Sequence, residues 1–173
     1  METFETLFSR VSTRDFNDKE VSAELIERIL QAGMSAPVGR ARYDTLHVTV
    51  VQDGTFLDGV TELAKDTSPR ARAPFYGAKT LIVVSSLMSE TPAIEYSNVA
   101  CVIENMAIAA RALGVASVYL WAFVKPLENA PALLAKLGLP CGFKPVSALA
   151  IGYSDTPLEV FDKPRHSITV NRI

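Results

Sequence analysis

The chain has 173 residues, with 49% hydrophobic side chains, 21% charged side chains and a formal net charge of −2. That length reads as a single domain over residues 1–173, able to bury a core without disulfides or a structural metal. The small net charge argues against a nucleic-acid or membrane-surface partner.

No run approaches the roughly 18 apolar residues of a membrane span. The most apolar stretch, Val99 to Leu113, is broken by Glu104, Asn105 and Arg111. The surplus of apolar residues then implies a large homodimer interface. The N-terminus, Met1-Glu2-Thr3-Phe4-Glu5, lacks the basic-then-apolar pattern of a signal peptide. Cys101 and Cys141 have no partner at metal-ligand spacing. They read as reduced, buried thiols of a cytoplasmic protein.

In chain order, residues 3–9 form a short helix with Phe4, Leu7 and Phe8 on one face, followed by a polar segment from Ser9 to Asp15. Ser22 caps a second helix with Leu25, Ile26, Ile29 and Leu30 as its stripe and Gly33 near its end. Ala36-Pro37-Val38-Gly39 turns into a strand at 45–52, and 54–66 has helical periodicity. After a Pro- and Arg-rich loop, Thr80 to Val84 has the continuous apolar pattern of a strand covered on both faces. The helix at 95–113 is apolar on nearly every side and should run through the core. Val115 to Phe123 reads as a strand, Leu127 to Leu137 as an amphipathic helix, Val146 to Ile151 as a strand and Ser167 to Val170 as a last one. Strands mixed with helices and no repeats give an α+β or α/β sandwich with one sheet.

Dinucleotide, P-loop and nucleophile-elbow motifs are absent, and His47 and His166 have the setting of surface or edge-strand histidines. No ligand set for a metal is present. No side chain qualifies as a catalytic group, so a bound cofactor is the natural carrier of any chemistry. Two basic clusters lie in non-helical stretches: Arg10-Val11-Ser12-Thr13-Arg14, and Lys163-Pro164-Arg165. A phosphate is held by guanidinium forks, hydroxyls and free backbone N–H groups, which such segments supply. Either cluster alone reads more readily as solvated surface.

Their order along the chain resembles the nitroreductase family. The resemblance rests on Arg10-Val11-Ser12-Thr13-Arg14-Asp15-Phe16, on Ser35-Ala36-Pro37-Val38, and on Ala109-Ala110-Arg111-Ala112-Leu113-Gly114. Further matches are Ser117 to Phe123, Leu137-Gly138-Leu139-Pro140, Ala148 to Tyr153, and the basic pair Lys163 and Arg165. The resemblance implies an α+β sandwich: a central mixed or antiparallel sheet flanked by helices, with the C-terminal strand exchanged between subunits of a homodimer. It implies FMN bound at the interface, with NADH or NADPH as co-substrate and ping-pong transfer to a small organic acceptor such as a nitroaromatic, a quinone or a flavin. A flavin oxidase or dehydrogenase of one metabolite, and a flavin-binding dimer without turnover, are the alternatives.

On this resemblance Arg10, Ser12, Lys163 and Arg165 hold the phosphate, with Val11 contributing backbone. Arg14 reaches the pyrimidine side of the ring, where a fixed cation stabilises charge built up on reduction. Tyr119, Leu120, Trp121 and Ala122 line the ring, and Pro37, Val38 and Gly39 approach from the partner. The departures are Val38 to Asp44, Ala122 at a position commonly glycine, and Arg70 and Arg72 in a segment without a clear counterpart. The short stretch from Met88 to Ser97 implies a more open pocket. Trp121 reads equally as a core anchor or as a flavin-side residue.

Overall fold

The computed structural model describes residues 2–64, 74–90 and 92–173. The helices are α1 (Thr3–Ser9), α2 (Ala23–Met34), α3 (Gly54–Ala64), α4 (Ala93–Ala112), α5 (Val124–Glu128) and α6 (Pro131–Ala135). The strands are β1 (Leu46–Val51), β2 (Thr80–Leu87), β3 (Ala116–Leu120) and β4 (Phe143–Gly152). They form one antiparallel sheet in the order β1-β2-β4-β3.

Alternation along β2 and β4 divides the apolar residues between two faces. Ile82, Val84, Leu149 and Ile151 pack with α2 and α4, while Leu81, Val83, Ala148 and Ala150 pack with α3 and α5. A strand covered on both sides has no face left for polar residues, hence the continuous apolar run legible in the sequence. α4 supplies Val99, Val102, Ile103, Met106 and Ala110 to the first face. Gly33 lets α2 approach it closely, since a Cβ there would lie 2.7 Å from Met106 Cγ.

Helix starts follow their caps. The Glu2 carboxylate accepts from the Phe4 amide at 3.0 Å, and Ser22 Oγ from the Leu25 amide at 3.4 Å. Asp53 does the same before α3, accepting from the Thr55 amide at 2.9 Å and from its hydroxyl at 2.8 Å.

Several predicted elements are corrected. The strand expected over 115–123 stops at Leu120, because the chain turns at Trp121 and Phe123 and Leu127 are buried one helical turn apart. The helix expected over 127–137 is two helices, since Pro131 has no amide hydrogen to continue a helix and keeps Ala130 out of the helical region at φ −124°, ψ 75°. β4 begins at Phe143, before the predicted Val146. The ladder passes from Val84↔Ser147 to Ser85↔Pro145, leaving Val146 as a bulge beside the proline that cannot donate. Ser167–Val170 is no strand in this chain, because it pairs with neither edge of the sheet. Cys141 is exposed and Cys101 half-buried, against the expectation of two buried thiols. No described helix is long and apolar enough to cross a membrane.

Asp53 gives a test with a definite pH dependence. The Thr55 hydroxyl first, then the Thr55 amide and Lys136, hold its carboxyl below the ordinary carboxylate range. A depressed folded-state pKa contributes stability that is full above the unfolded value, about 3.9, and is lost as pH falls through the folded one. Asp53→Ala is expected to lower the thermal midpoint at pH 7, and the gap to the parent should narrow below about pH 4. Thermal scans at pH 7 and pH 3 measure both.

Candidate cofactor site

Ser9 to Asn17 has no helix or strand of its own beyond the end of α1, so its amides must find partners elsewhere. They find them on three elements. Ser12 bridges in parallel to Ser117, and the Thr13 amide donates to the Ser117 carbonyl at 3.0 Å. The Phe16 amide donates to the Tyr76 carbonyl at 3.0 Å and the Asn17 amide to that of Tyr153 at 2.8 Å. Two glycines make room for Phe16. A Cβ at Gly152 would lie 2.8 Å from its ring, and one at Gly77, where φ is +86°, would lie 2.9 Å from its carbonyl oxygen. The segment is therefore held as firmly as a strand.

On this support Arg10 and Ser12 are half-buried and Arg14 is exposed, with Val11 half-buried between the first two. Arg10 Nε lies 3.3 Å from Glu104 Oε1, a half-exposed carboxylate on α4. The Arg14 guanidinium lies 5.9 Å from the centre of the Tyr76 ring and donates to the Ser12 carbonyl at 3.3 Å.

The second cluster arrives from the other end of the chain. Ser9 Oγ, fully buried, accepts from the Phe161 amide at 2.7 Å. Arg111 Nη2 donates to the carbonyls of Leu158 at 3.3 Å and Glu159 at 2.7 Å. Lys163 and Arg165 follow immediately and are exposed, and the Arg165 guanidinium stacks 5.0 Å from the centre of the Phe161 ring. Residues 150 positions apart thus converge beside the end of α1. The stretch that leads into Lys163 and Arg165 is fastened beside Arg10, and guanidinium and ammonium groups are the donors that suit a phosphate.

Tyr119, Leu120, Trp121 and Ala122 occupy the end of β3 and the turn after it. Tyr119 is partly exposed and its hydroxyl donates to Ser147 Oγ at 2.9 Å. Leu120 points into the core below the sheet, so only its backbone faces the edge. Trp121 is 67% exposed, which removes the core-anchor alternative. With Ala122 it lines a cavity of about 570 Å³ that also takes in Met88, Tyr96, Lys125 and Lys144.

Pro37, Val38 and Gly39 lead onto the N-terminal half of α4, away from Arg111 and the C-terminal segment it holds. The Gly39 amide donates to Asn98 Oδ1 at 2.8 Å, and a Cβ there would collide with Ile94. Arg40 and Ala41 follow in left-handed conformations at φ 57° and 53°. Asn98 lies in the N-terminal half of α4 and Arg111 in its last turn, on the order of 20 Å further along at 1.5 Å per residue. Arg70 and Arg72 lie outside the described residues.

Sequence reasoning passed over three residues of this neighbourhood: Ser9, Tyr76 and Arg111. A polar residue ending an amphipathic helix, and a cation inside an apolar one, were the available signals for Ser9 and Arg111. For Tyr76 there was none, because its place under Arg14 depends on a left-handed turn at φ 55°.

The model of the Nitroreductase family matches residues 7–153, and the chain belongs to that family. An Archaeoglobus fulgidus protein named as a candidate NADH dehydrogenase/NAD(P)H nitroreductase is 29% identical over 153 residues, 88% of this chain and 85% of its own. A crystal structure of a Bacteroides fragilis nitroreductase with bound FMN superposes with a TM-score of 0.81 at 29% identity, covering 99% of this chain and 100% of that one. An FMN-dependent nitroreductase from Clostridium difficile, at 20% identity and a TM-score of 0.83 with 99% of each chain covered, shares the fold.

The seat of Phe16 is directly testable. Gly152→Ala forces a methyl against its ring and should cost about 1–3 kcal/mol as overpacking does. Urea unfolding measures the loss, and a stability equal to the parent's would show that Phe16 is not fixed against β4.

Proposed function

We propose that this chain is an FMN-dependent NAD(P)H oxidoreductase acting as a homodimer, with each flavin held by residues of both chains. The convergence of the two basic clusters at the Ser9–Phe161 contact carries this reading, because it assembles a phosphate-binding group from distant parts of one chain. The FMN bound by the Bacteroides fragilis relative supports it.

Arg10, Ser12, Lys163 and Arg165 hold the phosphate, and the Val11 backbone borders it. Glu104 gives up Arg10 readily, since an exposed ion pair contributes only about 0–1 kcal/mol. Arg14, backed by the Tyr76 ring, presents a fixed positive charge to the pyrimidine side of the ring. The backbone of Tyr119 to Ala122 borders the ring, and the cavity beside Trp121 admits the reactants. Bound there, FMN would supply the redox chemistry that links NADH or NADPH to a small organic acceptor. One open cavity suits ping-pong turnover, with donor and acceptor entering in turn. A cytoplasmic location, where reduced nicotinamide is available, goes with this reading.

The partner chain supplies what this one cannot bring to its own site. Pro37, Val38 and Gly39 lie against the N-terminal half of α4 and reach the partner's flavin. The tail from Ser167 to Val170 alternates polar and apolar, and Ile168 is 90% exposed and Val170 65%. Such a segment gains its hydrogen bonds by adding to an edge of the partner's sheet.

The protein should purify yellow with about one FMN per chain, and NADH or NADPH should bleach it under anaerobic conditions. Apo protein that fails to take up FMN at tens of micromolar refutes the reading, whereas binding without bleaching leaves a flavin-binding dimer without turnover. Arg10→Ala and Arg165→Ala should each weaken FMN by roughly tenfold to a hundredfold, the worth of a charge-assisted hydrogen bond, and riboflavin far less. Equal losses for the two ligands would remove these residues from the phosphate. Truncation after His166 keeps both clusters but removes the exchanged segment, so sedimentation should show monomer; an intact dimer would exclude the exchange.

A further inference from the structure

Arg111 is an unusual residue to find at its position. It lies in the last turn of α4, whose other buried side chains are apolar apart from Glu95 and Asn98 near its start, and only 5% of it is exposed. Burial pulls its pKa down, and the Glu5 charge pushes it back up. A buried guanidinium is costly unless its donors are satisfied. Here Nη2 is satisfied by two consecutive carbonyls, those of Leu158 and Glu159, while Nε finds no partner. The negative end of the α4 dipole adds a favourable field for the cation.

Those carbonyls belong to a stretch with no helix or strand, tied upstream by the Thr156 hydroxyl donating to Asp15 Oδ2 at 2.7 Å and Asn17 Nδ2 donating to Asp155 Oδ1 at 2.8 Å. After Tyr153 the chain leaves the sheet, and Glu159 and Val160 are exposed. The next fastening is the Phe161 amide on Ser9 Oγ at 2.7 Å, directly beside Arg10. Phe161 in turn carries the Arg165 guanidinium over its ring. Arg111 and Ser9 are thus two ends of one clasp, on α4 and α1, and the basic pair begins where the clasp ends.

We propose that Arg111 is a positioning residue of the phosphate site. It touches no ligand. It fixes the backbone at Leu158 and Glu159 so that Phe161 reaches Ser9 and the cations of Lys163 and Arg165 face Arg10. This role rests on the FMN reading above and adds to it a residue outside the binding group that sets the affinity for the phosphate alone. The phosphate half of the site is then formed within one chain, before any contribution from the partner.

The test compares the full-length parent, Arg111→Met and Arg111→Lys. Methionine keeps the apolar stem without donors, and lysine can still donate to both carbonyls. Each protein is titrated with FMN and with riboflavin, and amide exchange is followed at Phe161. Arg111→Met should bind FMN roughly tenfold or more weakly, the scale of a lost charge-assisted contact, with riboflavin unchanged and faster exchange at Phe161. Arg111→Lys should restore much of both. If Arg111→Met does not fold, Ser9→Ala opens the same clasp from its other end and should show the same preference for losing FMN. A parent that prefers FMN to riboflavin, with Arg111→Met keeping the whole preference, overturns this role and leaves the cofactor reading standing. Equal weakening of both ligands also overturns it. A parent that binds FMN no better than riboflavin overturns the cofactor reading itself.

Discussion

Eight residues that form neither helix nor strand, from Arg10 to Asn17, have to satisfy their backbone groups on neighbours, and the rest of the site depends on how they do so. Each hydrogen bond ties the segment to a different element: β3 through Ser117, the 74–77 turn through Tyr76, and the end of β4 through Tyr153. Phe16 can enter that position only because Gly77 and Gly152 present no Cβ to it. A loop held in this way keeps charged side chains at fixed separations without the regular spacing of a helix. That is what recognition of a phosphate at one end and a flat ring at the other requires.

The electrostatics follow from that placement. Arg10 is paired with Glu104, and Phe161, which carries Arg165 over its ring, is tied to Ser9 next to it in the chain. Like charges held together on a rigid support repel one another, and a bound anion removes that repulsion. Arg165 stacked on Phe161 and Arg14 over Tyr76 are kept extended by rings beneath them, so less side-chain freedom is lost when a ligand arrives.

α4 is the axis of the arrangement. Along one helix it buries the core against β2 and β4, holds Gly39 through Asn98, pairs Glu104 with Arg10 and fastens the C-terminal segment through Arg111. Its two ends serve two different stretches of chain on the order of 20 Å apart. Such a division suits an assembly in which each chain gives one half of a site to itself and the other half to its partner.

How much of this was legible beforehand depended on whether the signal was local. α1, α2, β1, α3 and β2 could be read from periodicity and caps, because burial of one face or both faces writes itself into the residue pattern. The motif order from Arg10 to Arg165 was enough to reach the family. Elements decided by a single residue were misjudged: Pro131 splits a helix whose apolar spacing runs on, and Pro145 sits inside a strand that its bulge tolerates. Exposure of Trp121 and Cys141 could not be read either, since both depend on which elements lie alongside. By itself, then, the sequence determined the fold class, most of the elements and the identity of the two basic clusters. Tertiary structure alone decided that the stretch leading into the second cluster lies against α1 and α4, through one buried hydroxyl at Ser9 and one buried guanidinium at Arg111, each bonded to backbone about 50 to 150 residues away. Backbone carbonyls and amides are the same at every position, so no residue pattern records which of them a distant side chain will choose.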